Sequence, residues 1–425
     1  MKKIYATSLI AFILVLQLNA QDEVFDQPSV GPSYTFNSFY SIVDGEQAQV
    51  DHSEWDIAFD VAPQGTGIFV NEGAILSFGA PAPQVELYLT GSTDFETLDT
   101  AGMQRIYNEE LNWEEGAFNH VKDPSETSDV GWGLTNQTTA EVNSIRFYVI
   151  RLREGQYKKL EIQSMINEIY TIRYANLDGS DEQTHTINKV DYSGKTLAYF
   201  SLAENTAKDL EPEQWDLAFT RYYTPLDDGQ GGSIQYQVTG TLSNSGMEIA
   251  QADGVDPATV NYLDYEDSYT NNIKEIGFDW KFFDFQSGWG IVNDRAYFVK
   301  TRTNEIWKLI FYDFEGSSTG VSTLGKTFQA EVTDLENAPE YVVSLNTFPN
   351  PTTDILNISF ELEQAVKNTP IRLYNQLGQL VWQEEMDLTA GFQVRTINIE
   401  NLPTATYQLL IQLDGAIVNK AIIKK

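Results

Sequence analysis

Apolar and polar residues alternate along most of the chain, with a period of two rather than the roughly 3.6 residues of a helix. Clear stretches are 146–152, 235–239 and 305–311, which are rich in aromatic and β-branched residues and are bounded by Gly, Asn, Asp or Pro. Such segments are typical of antiparallel strands joined by turns. The pattern therefore predicts an all-β protein with few helices. The best helix candidate is 255–262, with Asp256 as its N-cap.

One block of this pattern occurs twice. Residues 55–59 are Trp-Asp-Ile-Ala-Phe, and residues 215–219, which lie 160 positions later, are Trp-Asp-Leu-Ala-Phe. Other paired blocks follow in the same order, at offsets that shrink along the chain: 131–133 with 288–290, and 148–151 with 297–300. Collinear pairs indicate a duplicated domain. The repeated unit is too long for a solenoid and long enough to bury a core of its own.

The repeated block is predicted to lie on a strand. Because successive side chains of a strand point to opposite faces, Trp55, Ile57 and Phe59 are expected on one face and Asp56 and Ala58 on the other. We expect the block to build the core of each copy rather than a ligand site.

The repeat divides the chain into two similar β domains and a shorter C-terminal segment. Copy one is predicted to occupy residues 21–192 and copy two residues 193–335, with a linker at 336–346. The segment 347–425 opens with a Pro-rich turn and continues as short alternating stretches. These predicted strands lie at 355–360, 371–374, 379–382, 394–399 and 407–413, and residues 375–378 form a hairpin turn. Their near-regular spacing predicts a small Ig-like β-sandwich.

Residues 1–20 have the features of a secretory signal peptide. Lys2 and Lys3 precede an apolar run at 9–18, and Ala20 offers a small residue for cleavage. The run is too short to span a membrane, so we expect export and removal of this segment. The chain contains no Cys, so each domain must be held by its core rather than by disulfides.

The chain has a formal charge of −34, which disfavours negatively charged binding partners. Such an acidic protein is not expected to bind nucleic acid or an anionic membrane surface. Solubility is the simple explanation of the charge. The alternative, a calcium-binding surface, lacks the loop motif that it would require.

The C-terminal segment resembles the type A sorting domain of the type IX secretion system of Bacteroidetes. The matching features are Pro-Asn-Pro at 349–351, the hairpin motif at 373–379, Leu402-Pro403 before Tyr407, and the basic end. One departure is the absence of Gly before the strand of Tyr407. The resemblance implies recognition by the type IX secretion machinery, delivery to the medium or to the outer-membrane surface, and cleavage of this domain.

The two copies resemble the HmuY family of haem-binding proteins. The likeness is carried by 195–202, 215–222 and 288–290 in copy two and by 39–41 and 55–59 in copy one. It implies an antiparallel β fold, haem as a cofactor and an outer-membrane TonB-dependent receptor as a partner. Members that act as haemophores hold the iron between two axial His or Met side chains. A tandem pair departs from the usual single domain.

Candidate haem ligands are few and unevenly distributed. His52, His120 and His185 lie in copy one, whereas copy two has no His and a single Met, Met247. We select His120, Met103 and Met247 as candidate axial ligands, since haem iron prefers His or Met. The alternative for each is an ordinary loop position. His52 and His185 are expected at the surface, in a turn and on a strand.

Two other functions are alternatives to haem binding. The first is a surface structural or interaction protein that uses the same β fold and its many aromatic residues without haem. The second is an enzyme, which is not expected. The G-x-S-x-G pattern at 316–320 precedes a segment with poor helix propensity, and its copy contains no His to serve as a base.

Overall fold

The computed structural model describes residues 23–74, 84–108, 112–303, 305–331, 341–375, 379–413 and 416–425. These residues form thirty strands and five short 3-10 helices, so the all-β prediction is confirmed. The 3-10 helices are Pro32–Tyr34, His52–Glu54, Lys189–Tyr192, Tyr262–Ser268 and Gly316–Ser318. The strands up to residue 201 are β1 (Val24–Asp26), β2 (Phe36–Ser41), β3 (Gly45–Asp51), β4 (Ile57–Asp60), β5 (Ile68–Val70), β6 (Glu86–Leu89), β7 (Gln104–Ile106), β8 (Gly133–Thr135), β9 (Val142–Ser144), β10 (Tyr148–Arg151), β11 (Tyr157–Ile166), β12 (Ile169–Asn176), β13 (Gln183–Asn188) and β14 (Leu197–Ser201).

The later strands belong to the rest of the repeat region and to the C-terminal segment. Those of the repeat region are β15 (Thr206–Lys208), β16 (Leu217–Asp227), β17 (Ser233–Ser243), β18 (Glu248–Asp253), β19 (Lys281–Asp284), β20 (Gly288–Ile291), β21 (Arg295–Lys300), β22 (Glu305–Phe314) and β23 (Ser322–Glu331). Those of the C-terminal segment are β24 (Val342–Phe348), β25 (Ile355–Leu362), β26 (Val366–Tyr374), β27 (Leu380–Leu388), β28 (Gly391–Asn398), β29 (Ala405–Leu413) and β30 (Ala416–Lys424).

The repeat region consists of four sheets packed in layers. Outer sheet one has the order β13-β12-β11-β10-β6-β7, with β8 and β9 attached, and inner sheet one has the order β15-β14-β4-β5. Inner sheet two has the order β17-β16-β2-β3, and outer sheet two has the order β1-β23-β22-β21-β18. We call each outer sheet together with the inner sheet of the same number a lobe. Strands β19 and β20 form a separate hairpin.

Three apolar clusters hold these layers together. Phe59 and Tyr148 belong to the core between the sheets of lobe one, and Phe219 and Phe311 to the core of lobe two. A third cluster, which includes Tyr199, lies between the two inner sheets and joins the lobes. Each inner sheet is thus apolar on both faces, which is the pattern of a sheet buried between two others.

The two inner sheets exchange strands between the sequence repeats. The hairpin β2–β3 of copy one pairs with β16–β17 of copy two, and the hairpin β14–β15 of copy two pairs with β4–β5 of copy one. The registers are equivalent, because Tyr40 lies opposite Leu217 and Phe200 lies opposite Ile57. The repeat boundary at residues 192/193 stays a prediction. The sheets show that strands from both sides of it build each lobe.

The aspartates of the repeated block connect these exchanged strands. The Asp56 carboxylate accepts hydrogen bonds from the backbone N–H of Leu202 at 2.7 Å and of Ala203 at 3.3 Å. Asp216 accepts the equivalent bond from the Ile42 N–H at 2.8 Å. Each aspartate therefore satisfies the turn that follows a strand of the other copy, β14 for Asp56 and β2 for Asp216. A carboxylate that accepts backbone N–H bonds in this way replaces water at a buried turn.

The remaining residues of the block build the cores, as predicted, with one exception. Ile57 and Phe59 point into the core of lobe one, and Ala58 points to the cluster between the inner sheets. Trp55 was predicted to share the face of Ile57, which is wrong. It precedes β4 and packs against Tyr199 at a ring distance of 5.1 Å, on the opposite face.

The helix predicted at 255–262 is absent. Asp256 does accept the N–H of Ala258, but the chain makes a single turn there, and a 3-10 helix follows at Tyr262–Ser268, capped by Asn261. Side-chain bonds from Asp and Asn to nearby N–H groups favour such turns over a continuing helix. Packing of the segment against Phe298 adds a tertiary preference for this shape.

The C-terminal segment forms two small sheets around one core, as predicted. The sheets have the orders β24-β25-β28 and β27-β26-β29-β30, and Phe360 and Leu409 are among the side chains between them. The predicted strands are present, but β24 and β30 were missed. The linker was expected to extend to residue 346, whereas β24 begins at Val342. The hairpin tip at 376–378 and the predicted signal peptide lie outside the described residues.

No helix among the residues that the structure describes is long and apolar enough to cross a membrane.

Candidate functional site

An open cleft of about 340 Å³ lies where the two lobes meet. We call it the His120 cleft; its lining residues are Ile106, Tyr107, Asn108, His120, Val121, Tyr223, Pro225, Gln235 and Lys274. Lobe one contributes the end of β7 and the loop of His120. Lobe two contributes β16, β17 and the loop of Lys274. A site of this kind, concave and between domains, is where ligands preferentially bind.

Glu72 ties the two walls of the cleft together. Its carboxylate accepts the Asn108 N–H at 2.8 Å on one wall and the Tyr223 N–H at 3.0 Å on the other. Asn108 is itself fixed, because its side-chain amide exchanges two hydrogen bonds with the backbone of Val70. These buried bonds hold the walls at a defined separation, which favours a pre-formed site.

Two tyrosines and an arginine form a stack beside the cleft. The rings of Tyr107 and Tyr223 lie 4.9 Å apart, and the Arg105 guanidinium lies 4.9 Å from the first ring and 5.0 Å from the second. An ion pair with Glu86 orients the guanidinium, with 3.3 Å between Nη1 of Arg105 and Oε1 of Glu86. Burial raises the pKa of the Tyr107 phenol, and the charge of Arg105 acts in the opposite direction. Tyr107 is therefore a proton donor at neutral pH.

The ring of His120 is oriented by the backbone. Nδ1 lies 3.2 Å from the carbonyl oxygen of Tyr107, and a carbonyl can only accept, so Nδ1 carries the proton. In the neutral ring the lone pair then resides on Nε2, which is the arrangement of a general base or a metal-ligating His. The ring is half-buried, so it remains accessible from the cleft.

Lys274 adds a positive charge to the wall opposite His120. Its ammonium donates to the Thr224 hydroxyl at 3.5 Å, and the side chain is half-buried. The cleft thus combines an oriented imidazole, two phenols and an ammonium. This set can remove a proton, return one and stabilise a developing negative charge.

The three candidate haem ligands lie in different places. His120 lines the cleft, whereas Met103 precedes β7 and is not among the lining residues. Met247 is 1% exposed and packs within the core of lobe two. The lining of the cleft therefore includes His120 and neither Met, and the three candidate ligands stay predictions. Haem binding itself stays a prediction of the resemblance.

The other two histidines are not in this cleft. His185 lies half-buried on β13, as expected of a strand residue, and its ring packs 5.3 Å from that of Phe200. His52 was expected in an exposed turn, which is wrong, since it is 1% exposed. The physical reason is that its 3-10 turn lies between the inner sheets, where contacts from both lobes cover it.

Sequence reasoning selected His120 but missed Tyr107, Tyr223 and Lys274. These residues are far apart in the chain and belong to both copies, and none lies in a recognisable motif. The exchange of strands brings them together. The only feature of the sequence that points to this site is the repeat, because it indicates that residues of both copies can build one site.

A comparison with family models decides the nature of the C-terminal segment. The model of the secretion system C-terminal sorting domain matches residues 346–425. Residues 346–425 are a sorting domain. This confirms the predicted handling by the type IX machinery and a secreted or surface location. The HmuY resemblance of the repeat region stays a prediction.

Deletion of the sorting domain is expected to prevent display at the cell surface. A chain that ends before residue 346 keeps the four sheets of the repeat region but lacks the segment that the export machinery recognises. Immunoblots of medium, surface-shaved and periplasmic fractions would show the truncated protein only inside the outer membrane. Restoring the sorting domain of another cargo should restore display; equal display without any sorting domain would contradict the assignment.

Comparison with curated proteins gives one distant relative. The chain is 21% identical to ulvan lyase NLR42 of Nonlabens ulvanivorans over 282 residues, which is 65% of this chain and 46% of the relative. The chain thus spans about half the length of that enzyme. The match is longer than the sorting domain and so includes part of the repeat region.

Among solved structures, dimeric latent PorU from Porphyromonas gingivalis aligns with 94% of this chain and 34% of its own. The identity is 9% and the TM-score is 0.18, so this alignment does not indicate a shared fold.

The prediction that the chain is not an enzyme is contradicted by the likeness to ulvan lyase, which is an enzyme. That prediction rested on the absence of a base in the copy that contains the G-x-S-x-G pattern. The pattern lies on the 3-10 helix Gly316–Ser318 and is followed by β23 rather than by a helix. A search within single copies overlooks a cleft such as that of His120, which both copies build.

Proposed function

We propose that this secreted or surface protein acts on an extracellular polysaccharide and cleaves it by elimination in the His120 cleft. The observation that carries the proposal is the oriented imidazole of His120 in an open cleft lined by two tyrosines and a lysine. The distant likeness to ulvan lyase supports the class of reaction. Secretion supports the class of substrate, since large polysaccharides remain outside the cell.

An elimination of this kind requires three things of the cleft. A base removes a proton from the sugar ring, a positive group stabilises the resulting anion, and an acid protonates the leaving oxygen. In the proposed arrangement Nε2 of His120 accepts the proton and the Lys274 ammonium stabilises the anion. The Tyr107 phenol, whose pKa is raised by burial, returns a proton to the leaving group. No water enters the products, which contain one new carbon–carbon double bond.

The experiment uses purified ulvan and the full mature chain. Wild-type protein is expected to generate unsaturated chain ends, detected by ultraviolet absorbance, and shorter oligosaccharides. Replacing His120 by alanine is expected to lower the rate by roughly 100-fold without changing the melting temperature, because the ring is only half-buried. His185→Ala is the matched control and should retain the wild-type rate.

Two results would overturn this proposal. Wild-type protein that leaves ulvan and a panel of other acidic polysaccharides intact would exclude elimination as the activity. Equal loss of rate in His120→Ala and His185→Ala would remove the assignment to this cleft. Haem binding is tested separately by titration with haemin. A Soret band identical to that of free haemin at equal protein concentration would contradict the haem prediction.

A further inference from the structure

A second, smaller cavity of about 60 Å³ lies between the two inner sheets. We call it the inner-sheet cavity. Phe39 and Arg221 of inner sheet two line it on one side, Val70 and Tyr199 of inner sheet one line it on the other, and His52 closes it. A cavity of this size exceeds the roughly 10–15 Å³ that one water requires. It is too small for a sugar and large enough for a single ion or a few waters.

His52 lines this cavity with both ring nitrogens unsatisfied. The side chain is 1% exposed, and neither Nδ1 nor Nε2 has a hydrogen bond among the residues that the structure describes. Gly73 makes room for the ring, because a Cβ at that position would lie 2.1 Å from Nδ1. Burial, followed by the charges of Arg153 and Arg221, lowers the pKa of His52 to about 3. The ring is therefore neutral at pH 7 and has one N–H to donate.

Arg221 brings a buried positive charge to the same cavity. It is 8% exposed, and one Nη donates to the Ala74 carbonyl, whereas Nε has no hydrogen bond within the described part of the chain. The ring of Tyr34 lies 5.3 Å away, but among the residues that the structure describes no carboxylate forms an ion pair with this guanidinium. Burial lowers its pKa to about 10, so it stays charged at neutral pH. A buried charge without a counter-charge is strongly destabilising.

One carboxylate, that of Glu72, also lines the cavity and forms no ion pair with Arg221. Its two oxygens accept the N–H groups of Asn108 and Tyr223 at 2.8 and 3.0 Å. In the part of the lining that the structure describes, the Nε–H of Arg221 and a ring N–H of His52 are therefore two buried donors without an acceptor.

We propose that the inner-sheet cavity binds a small monovalent anion, chloride or a halide of similar size, between Arg221 and His52. The ion accepts hydrogen bonds from the Nε–H of Arg221 and from one ring N–H of His52. It neutralises the guanidinium and bridges groups that line the junction of the two lobes. Because the anion binds the folded chain and not the unfolded chain, it stabilises the fold by an amount that grows with the logarithm of its concentration above the dissociation constant.

The direct test is anomalous scattering from crystals of the wild-type protein grown or soaked in sodium bromide. A bromide peak within hydrogen-bond distance of Arg221 Nε and a His52 ring nitrogen is expected. Density there that fits only water, or bromide peaks confined to the surface, would overturn the proposal. This measurement requires no variant, so it does not depend on whether a substitution folds.

A solution test separates specific binding from general screening of the acidic protein. The melting temperature is expected to rise in sodium chloride relative to sodium gluconate at equal ionic strength, because gluconate is too large for the cavity. Arg221→Met should abolish this difference. Arg302→Met is the matched control, since Arg302 is exposed and donates to the Trp215 carbonyl, and it should retain the difference. Equal melting temperatures of the wild type in both salts would contradict chloride binding.

Discussion

Replacing Trp215 by alanine is expected to destabilise the protein by about 4 kcal/mol. The side chain is 2% exposed and packs edge-on against Phe39 at 5.0 Å and Trp113 at 5.9 Å. Its indole N–H donates to the buried Glu211 carboxylate at 2.9 Å. The substitution therefore opens a large cavity between the lobes and also removes a donor from a buried acid. Urea unfolding would measure the loss as a lower midpoint at an unchanged slope.

The repeat supplies the control for this prediction. Trp55 is the equivalent residue of copy one, but it is half-buried and makes a single edge contact, with Tyr199 at 5.1 Å. Trp55→Ala is expected to cost less than half as much, because less apolar surface is removed from the interior. Equal losses in the two variants would contradict the unequal burial of the repeated tryptophans.

Replacing Asp56 by alanine is expected to cost about 3 kcal/mol. One oxygen of this carboxylate accepts two backbone N–H groups across the exchanged strands, from Leu202 and Ala203. The side chain is 4% exposed, so its removal leaves buried donors without an acceptor. Thermal or urea unfolding of the purified full-length protein would measure the loss of stability.

Two variants separate this effect from a loss of charge. Asp56→Asn keeps an acceptor oxygen and should recover at least half of the stability. Asp51→Ala removes a carboxylate that accepts the N–H of Ser53 within its own turn, a cap for which about 1 kcal/mol is usual. If Asp51→Ala and Asp56→Ala were equally destabilising, the hydrogen bonds of Asp56 between the copies would contribute no more stability than an ordinary cap.

Local alternation was sufficient to predict the all-β class and the positions of several strands. The stretch 305–311 lies within β22, and 235–239 lies within β17. Alternation could not predict which strands pair. The equivalent strands β2 and β14 have similar sequence patterns, so the pattern alone does not say that β2 pairs with β16 and β14 with β4. Strand pairing depends on how all four sheets pack together, and a local sequence pattern contains no information about that packing.

The candidate site was predictable only in part, for the same reason. His120 was selected by residue type, since few histidines occur in the chain. Tyr223 was not, because nothing in its neighbourhood distinguishes it from other strand tyrosines until the lobes pack. His52 was expected at the surface because it aligns with Pro212, in a turn just before the repeated strand. Its burial depends on contacts from the other lobe, which are remote in sequence.

The exchange of β2 and β14 makes the fused repeat equivalent to a domain-swapped dimer in a single polypeptide. Either copy alone would expose the edges of its inner strands and could cover them only by finding a second molecule, at a protein concentration that sets the degree of association. Covalent fusion replaces that bimolecular step with an intramolecular one, at an effective concentration on the order of millimolar. A protein diluted into the medium after secretion therefore keeps its fold.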